Sequence, residues 1–210
     1  MFRKQIELIK DNQKNLENKS VLIVGAGGLG NVVATELSCI GLKNIYIMDF
    51  DEIEIHNIHR QFQFNKMDVG SKKAKILAKK IDRCSRSNIR SFCEKFEDFN
   101  KKIDLIIDCT DNFEVRKKID KFAKYKNIPW LYSSVEAWIG QVCLFKEKNL
   151  DIFNISSNHK VAGVLPAMVG IVGSIEAMLA TKYLAGLKVE FDKLIYIDFS
   201  ENLKINTFKL

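Results

Sequence analysis

The chain has 210 residues, enough for one large α/β domain and too few for two independent ones at roughly 150 residues each. Hydrophobic residues make up 47%, charged residues 28%, and there are only 2 prolines, which excludes disordered, collagen-like and disulfide-scaffold chains. The formal net charge of +7 favours acidic partners such as nucleotides, nucleic acids or an acidic protein, without choosing among them.

Residues 3–16 set Ile6, Ile9 and Leu16 among charges at helical spacing, so residues 1–18 are expected to carry an amphipathic helix that precedes the core. Ser20-Val-Leu-Ile-Val24 is a continuous apolar run, the mark of a strand buried on both faces. Gly25-Ala-Gly-Gly-Leu-Gly30 follows at once and leads into a helix over residues 31–40, which Gly41 ends. A second apolar run, Asn44–Met48, ends in Asp49 and completes a βαβ unit. Beyond an irregular stretch at 50–70, the pattern predicts a basic helix over 71–84 and strands over 88–96 and 104–108. A charged helix over 113–125 and a strand over 129–135 follow, Pro129 standing at the first strand position, where a missing N–H does least harm. This alternation predicts a Rossmann-like doubly wound parallel sheet. The remainder differs: a strand at 141–145, a polar loop at 146–160 and an apolar helix over 166–185 between Pro166 and Gly186. Strands at 194–199 and 203–208, split by Ser200-Glu-Asn, complete an antiparallel hairpin.

The five cysteines, Cys39, Cys84, Cys93, Cys109 and Cys143, include no Cys-x-x-Cys pair, so no zinc ribbon is expected. Four lie in apolar stretches and are expected to be small buried hydrophobes, and an odd count argues against a secreted disulfide framework. The N-terminus lacks the apolar core of a signal peptide, and Glu176 interrupts the most apolar stretch after about 15 residues, short of a bilayer span. A reducing cytoplasm and no membrane contact are therefore expected.

Gly25-x-Gly27-x-x-Gly30 stands between strand and helix as a nucleotide-binding turn requires. The glycines permit a tight turn and close backbone approach to phosphate, and the helix N-terminus supplies partial positive charge. Asp49, at the end of the second strand, suits ribose hydroxyls. Asn57-Ile-His-Arg60-Gln61 groups a guanidinium with two amides in a segment without periodicity, which suits a polyphosphate clamp. Lys73 opens the basic helix and adds a cation, whereas Lys72, Lys75, Lys79 and Lys80 read as a solvated face. Asp111, in Asp108-Cys-Thr-Asp111-Asn112, is placed at the carboxyl edge of the sheet, where a carboxylate holds Mg²⁺ against phosphates or caps the next helix. Asp108 and Cys109 read as structural, and His56 and His59 as polar scaffolding.

Taken together, Gly25-x-Gly27-Gly28-Leu-Gly30, Asp49-Phe-Asp51, Asn57-x-x-Arg60-Gln61, Gly70-x-x-Lys73 and Asp108-Cys-Thr-Asp111-Asn112 resemble, in order and spacing, the ThiF/MoeB/HesA family, bacterial relatives of ubiquitin-activating enzymes. The resemblance implies one adenylation domain over residues 1–210, with a nucleotide-binding half at 19–135 and a carrier-binding half at 136–210. It implies ATP and Mg²⁺ as cofactors and a small ubiquitin-like sulfur carrier ending in Gly-Gly as substrate, its terminal carboxylate becoming adenylated with release of pyrophosphate. The carrier is expected to be of the ThiS type, from thiamine thiazole synthesis, with a MoaD-type carrier of molybdopterin synthesis as the alternative. On the matched motifs, Gly25, Gly27, Gly28, Gly30, Asp49, Asp51, Asn57, Arg60, Gln61, Lys73, Asp111 and Asn112 would line the nucleotide site. Arg60, Lys73 and Asp111 would be catalytic, and Asp111 would bind Mg²⁺.

The chain also departs from the family. The two zinc-binding Cys-x-x-Cys pairs common in it are missing, so no zinc is expected and packing alone would hold residues 146–154. The loop at 156–163 has no cysteine for covalent sulfur chemistry, which implies a separate persulfide donor, and His159 there reads as solvated. Relatives place an arginine finger on the N-terminal helix that reaches the partner of a homodimer; Arg3 and Lys4 stand at that place here. The loop at 146–160 is expected to be mobile. Competing readings are a tRNA-modifying dehydratase of the same superfamily, for which the chain lacks a basic stripe with stacking aromatics, and a non-catalytic nucleotide-binding scaffold for a ubiquitin-like protein. An NAD oxidoreductase would leave residues 57–61 and Asp111 without a role.

Overall fold

The computed structural model describes residues 1–96, 99–153 and 162–210. Eight strands form one sheet in the order β3-β2-β1-β4-β5-β6-β7-β8. β1 (Ser20–Val24), β2 (Asn44–Met48), β3 (Asn88–Phe92), β4 (Leu105–Asp108) and β5 (Trp130–Glu136) run parallel. β6 (Ile139–Phe145), β7 (Lys193–Asp198) and β8 (Lys204–Lys209) continue the sheet antiparallel. The side chains of β1 and β4 are buried on both faces because helices cover both. On one face lie α3 (Gly28–Ser38), α4 (Lys73–Ile81) and α6 (Pro166–Leu184), packed over Val21, Ile23, Ile45, Ile47, Leu105 and Ile107. On the other, α5 (Phe113–Lys126) covers Leu22, Ile106 and Trp130 beside an aromatic group that includes Tyr46, Phe92 and Phe99.

Several boundaries differ from the sequence pattern for local reasons. The N-terminal segment is two helices, α1 (Arg3–Ile9) and α2 (Gln13–Leu16), broken where Lys10 takes a φ of 51°. It belongs to the core rather than preceding it: Ile9 and Leu16 are buried, and Gln5 and Gln13 both donate to the Ile40 carbonyl, at 2.9 and 3.0 Å. α3 begins at Gly28, inside the glycine motif, three residues earlier than its apolar run suggests. α5 is capped by Asn112, whose side-chain oxygen accepts from the amides of Glu114 and Val115, and closed by Asn127 in the left-handed region.

Only Cys109 and Cys143 are buried; Cys39, Cys84 and Cys93 are exposed because each falls just past the end of its helix, turn or edge strand. The lysines of α4 are also not uniformly solvated. Lys80 is mostly buried, donates to the Gln63 carbonyl at 2.6 Å and pairs with Asp68, whereas Lys72, just before the helix, is exposed and pairs with Glu52 at 3.2 Å. α6 runs 19 residues, longer than the apolar stretch measured from the sequence, and is long and apolar enough to cross a membrane. Its Met168, Val169, Val172, Ala177, Ala180 and Leu184 are buried in the core under the sheet.

The region after β6 is held by carboxylates as well as by packing. Asp192, itself at a φ of 55°, accepts from the amides of Lys146, Glu147 and Lys148 at 3.0 to 3.1 Å. Asp120 bonds both the Leu150 amide and the Trp130 indole. Residues 146–153 thus have defined partners; the remainder of the loop for which mobility was expected, including His159, lies outside the described residues.

Candidate active site

Between β1 and β4 the chain's strand order reverses, and the crevice at their carboxyl ends is where open α/β sheets bind ligands. The turn from β1 to α3 reaches this crevice by backbone contact. Gly25 has a φ of +97°, and a Cβ there would lie 2.6 Å from the Cys109 carbonyl oxygen; one at Gly30 would lie 2.0 Å from the Gly25 carbonyl oxygen. Gly27 faces open space apart from the Gln61 amide nitrogen at 3.8 Å, and Gly28 packs against Val169 and the Arg60 carbonyl. No side chain caps α3, so the first-turn amides and the positive end of the helix dipole face the crevice. That arrangement suits an anion.

The segment at 57–63 docks on this turn. Asn31, in the first turn of α3, donates to the carbonyls of Ala26 and Gly27, both at 2.9 Å, and accepts from the Gln63 amide at 2.9 Å. Gln61 is buried beside Gly27, and its Oε1 has no hydrogen-bond partner among the described residues. Arg60 is half-buried, its guanidinium near the His56 carbonyl (3.3 Å) and His59 Nε2 (3.0 Å). Asn57 is buried and accepts from the Glu54 amide, a bond internal to the turn.

Asp49 closes the crevice on the β2 side. Its two oxygens accept from the amides of Ala26 (2.7 Å) and Asp51 (2.8 Å), while burial pushes its pKa up against those bonds. Each oxygen keeps a lone pair for a further donor. Lys73 is buried, and its ammonium meets the Asp51 carboxylate at 3.0 Å, so Asp51 faces Lys73 in this structure. On the β4 side, Asp111 is exposed, and Asn112 next to it spends its carbonyl oxygen on the α5 cap. The glycine turn, the 57–63 turn, Asp49, Lys73 and Asp111 therefore share one edge of the sheet. Arg3 and Lys4 do not: both are exposed, bonded to Glu7, on a helix that packs under Gly41 at the amino edge. Within one chain they lie on the far side of the sheet.

Beneath Asp111 lies a buried polar network that the motifs do not reveal. Arg116 of α5 donates from Nε to the fully buried Asp108 at 3.0 Å and from Nη2 to the carbonyls of Thr110 and Ser133, and its guanidinium lies 5.1 Å from the Tyr132 ring centre. Asp108 also accepts from the Thr110 amide (3.0 Å) and hydroxyl (2.6 Å). Glu176, fully buried in α6, meets the Ser133 hydroxyl at 3.0 Å and the Cys109 thiol at 3.8 Å, and its Oε1 has no partner among the described residues. Burial holds the Glu176 carboxyl well above its ordinary range and also pushes Asp108 up, against the pull of Arg116. The one sequence signal for the network is Glu176, an isolated charge in an apolar helix. Among the described residues no three of His, Cys, Asp and Glu gather as metal ligands.

Comparison with known proteins assigns residues 2–210 to the ThiF family. The chain is 33% identical to the adenylyltransferase and sulfurtransferase MOCS3 of Caenorhabditis briggsae, over 94% of this chain and 54% of that protein. It is 32% identical to the molybdopterin-synthase adenylyltransferase of Haemophilus influenzae, over 92% and 87%. To the sulfur carrier protein ThiS adenylyltransferase of Escherichia coli it is 26% identical, over 91% and 82%. The chain thus spans little more than half of some relatives and most of others. The crystal structure of E. coli MccB with ATP shares its fold, with a TM-score of 0.81 at 22% identity over 94% of this chain and 65% of that one. A family match across the whole sheet, together with the glycine turn and Asp111 at its carboxyl edge, makes the chain a member of the ThiF family.

Proposed function

We propose that the chain uses ATP to adenylate the C-terminal glycine carboxylate of a small ubiquitin-like sulfur carrier. The observation that carries this reading is the placement of an uncapped helix N-terminus, the Arg60-bearing turn, Lys73 and the exposed Asp111 at one edge of the sheet. A dinucleotide oxidoreductase has no use for the last three. The carrier carboxylate, ionised at neutral pH, attacks the α-phosphorus of ATP; a C–O–P linkage forms, the bond to the bridging oxygen breaks, and pyrophosphate leaves. No general base is needed. In this reading the α3 amides cradle the polyphosphate, Arg60 and Lys73 offset the negative charge that builds on its oxygens, and Asp49 holds the ribose.

The donor set also fits a hard divalent cation. Asp111 is an exposed carboxylate at the same carboxyl edge of the sheet, and such a carboxylate is the usual way Mg²⁺ is held together with a nucleotide. Bound there, Mg²⁺ would neutralise phosphate charge. The Gln61 Oε1 beside Gly27, unpartnered among the described residues, supports a further donor arriving with the ligand. The proposed partners are a ThiS-type carrier first and a MoaD-type carrier second, a separate persulfide donor, and a second copy of the chain that would bring Arg3 or Lys4 to the crevice from outside. The proposed compartment is the cytoplasm.

The test is exchange of labelled pyrophosphate into ATP by the purified chain with Mg²⁺, alone and with carriers of each type ending in Gly-Gly. Exchange that depends on a carrier is expected, and the carrier that supports it at the lower concentration identifies the pathway. Nucleotide binding without exchange for either carrier would refute adenylation.

A further inference from the structure

We propose that Arg116 is a positioning residue that sets the aim of Asp111. Its guanidinium is mostly buried and ties three places in the chain to one point: the Asp108 carboxylate at the end of β4, the Thr110 carbonyl in the turn that follows, and the Ser133 carbonyl on β5. Asp108 completes the clamp from the other side by accepting from both the amide and the hydroxyl of Thr110. Thr110 is thereby held at its carbonyl, its amide and its side chain, and Asp111 is the next residue. On the other flank Asn112 is fixed by its own cap bonds to Glu114 and Val115. Asp111 is thus an exposed carboxylate between two anchored neighbours, and the anchor on the β4 side is built on Arg116.

The planar guanidinium is what the site demands. Nε serves the Asp108 carboxylate while Nη2 serves two carbonyls, and the face of the group lies over Tyr132. A lysine ammonium keeps the charge but presents donors from one point and cannot hold these acceptors in the same plane. Arg116 lies beneath the turn and acts on the ligand through Asp111. The inference rests on the reading of Asp111 as the carboxylate that holds the divalent cation with ATP, and not on which carrier is adenylated.

The test is a double-mutant cycle on Arg116→Lys and Asp111→Asn, read by Mn²⁺ binding in the presence of ATP from the electron paramagnetic resonance of the free ion. Nucleotide affinity without metal and the thermal midpoint are measured on the same samples. Arg116→Lys is expected to weaken Mn²⁺ binding about tenfold, the scale seen when a partner that orients a metal ligand is lost, with metal-free ATP affinity unchanged. Asp111→Asn is expected to weaken it at least as much, and the double variant no more than Asp111→Asn alone. If Arg116→Lys does not fold, Asp108→Asn/Arg116→Gln removes the clamp without stranding a buried charge, and the same loss is expected from it. A folded clamp variant with Mn²⁺ affinity within twofold of the parent, losses that add across the cycle, or Mn²⁺ binding indifferent to Asp111 would each overturn the proposal. Loss of pyrophosphate exchange with every carrier, while the cycle behaves as expected, would refute adenylation and leave the positioning role standing.

Discussion

Replacing Glu176 by Gln should stabilise the protein relative to the parent by an amount that grows as the pH rises above the ordinary carboxylate range. Glu176 is fully buried, faces Ser133 and Cys109, and has Asp108 and Arg116 as its nearest charged neighbours. Burial raises its pKa well above the ordinary 4.5, so the folded chain keeps the proton that the unfolded chain gives up. The stability this carboxyl contributes is complete below that ordinary value and falls as the pH rises towards the folded pKa. With the folded carboxyl still neutral, holding the proton costs 1.36 kcal/mol for each pH unit above the ordinary value.

Gln has no such cost; its amide N–H takes the place of the neutral carboxyl's O–H at Oε1, an offset that does not change with pH. Relative to the parent, the variant should therefore gain about 1.4 kcal/mol for each pH unit above the ordinary carboxylate value for as long as the folded parent keeps its proton. Urea unfolding of both proteins at pH 5, 6, 7 and 8 measures the difference directly. Asp49, Asp108 and Asp120, whose pKa values burial also raises, are common to both proteins and cancel. A difference that stays constant from pH 5 to pH 8 would mean that Glu176 is ionised in the fold, and the reasoning would fail.

Asp111→Ala should abolish carrier-dependent pyrophosphate exchange while changing stability by less than about 0.5 kcal/mol, as for other exposed positions; full exchange would remove Asp111 from the mechanism. Gly30→Ala puts a methyl group 2.0 Å from the Gly25 carbonyl oxygen. It should destabilise the chain by at least about 2 kcal/mol and abolish nucleotide binding, and a thermal midpoint equal to the parent's would contradict the packing described. Asn31→Ala removes the bonds between the glycine turn and Gln63; a loss of about 1–3 kcal/mol with weaker ATP binding is expected in calorimetry. Asp192→Ala should speed proteolysis within residues 146–153, and Asp192→Asn should do so less, because Oδ1 alone receives two of the three amides. Equal cleavage of parent and both variants would show that packing alone holds this turn.

The parallel half of the sheet was legible because its strands are continuous apolar runs and its turns are marked by glycine or by a carboxylate at a strand end. Gly25–Gly30, Asp49 and Asp111 could be placed on one edge before any coordinates, since a doubly wound sheet sends every such turn to the carboxyl side. What could not be read were interactions made by side chains over long sequence separations. Arg116 is one charge among many on an amphipathic helix, and nothing local distinguishes it from Lys117 or Lys121; its burial follows from β4 and β5 lying beside α5. Lys80 was assigned to solvent on the same helical periodicity, yet the Asp68 turn folds over it. The break at Lys10 was hidden for a related reason: Ile6, Ile9 and Leu16 keep helical spacing across it, and what fixes the bend is the distant Ile40 carbonyl that draws in Gln5 and Gln13.

The contacts of the glycine turn bear on how a ligand would be bound there. Its shape is set by main chain against main chain, Gly25 on Cys109 and Gly30 on Gly25, with Asn31 bracing the two carbonyls between them. Few rotatable side chains take part, so little conformational freedom remains to be lost when an anion arrives; that entropy was surrendered when the sheet formed. Affinity at this floor should consequently vary little with mutations of surface residues around the rim, and the free and bound turns should superpose closely. The same rigidity links two stretches more than 80 residues apart, because any residue bulkier than glycine at position 25 would have to displace the β4 turn, and with it the carboxylate of Asp111.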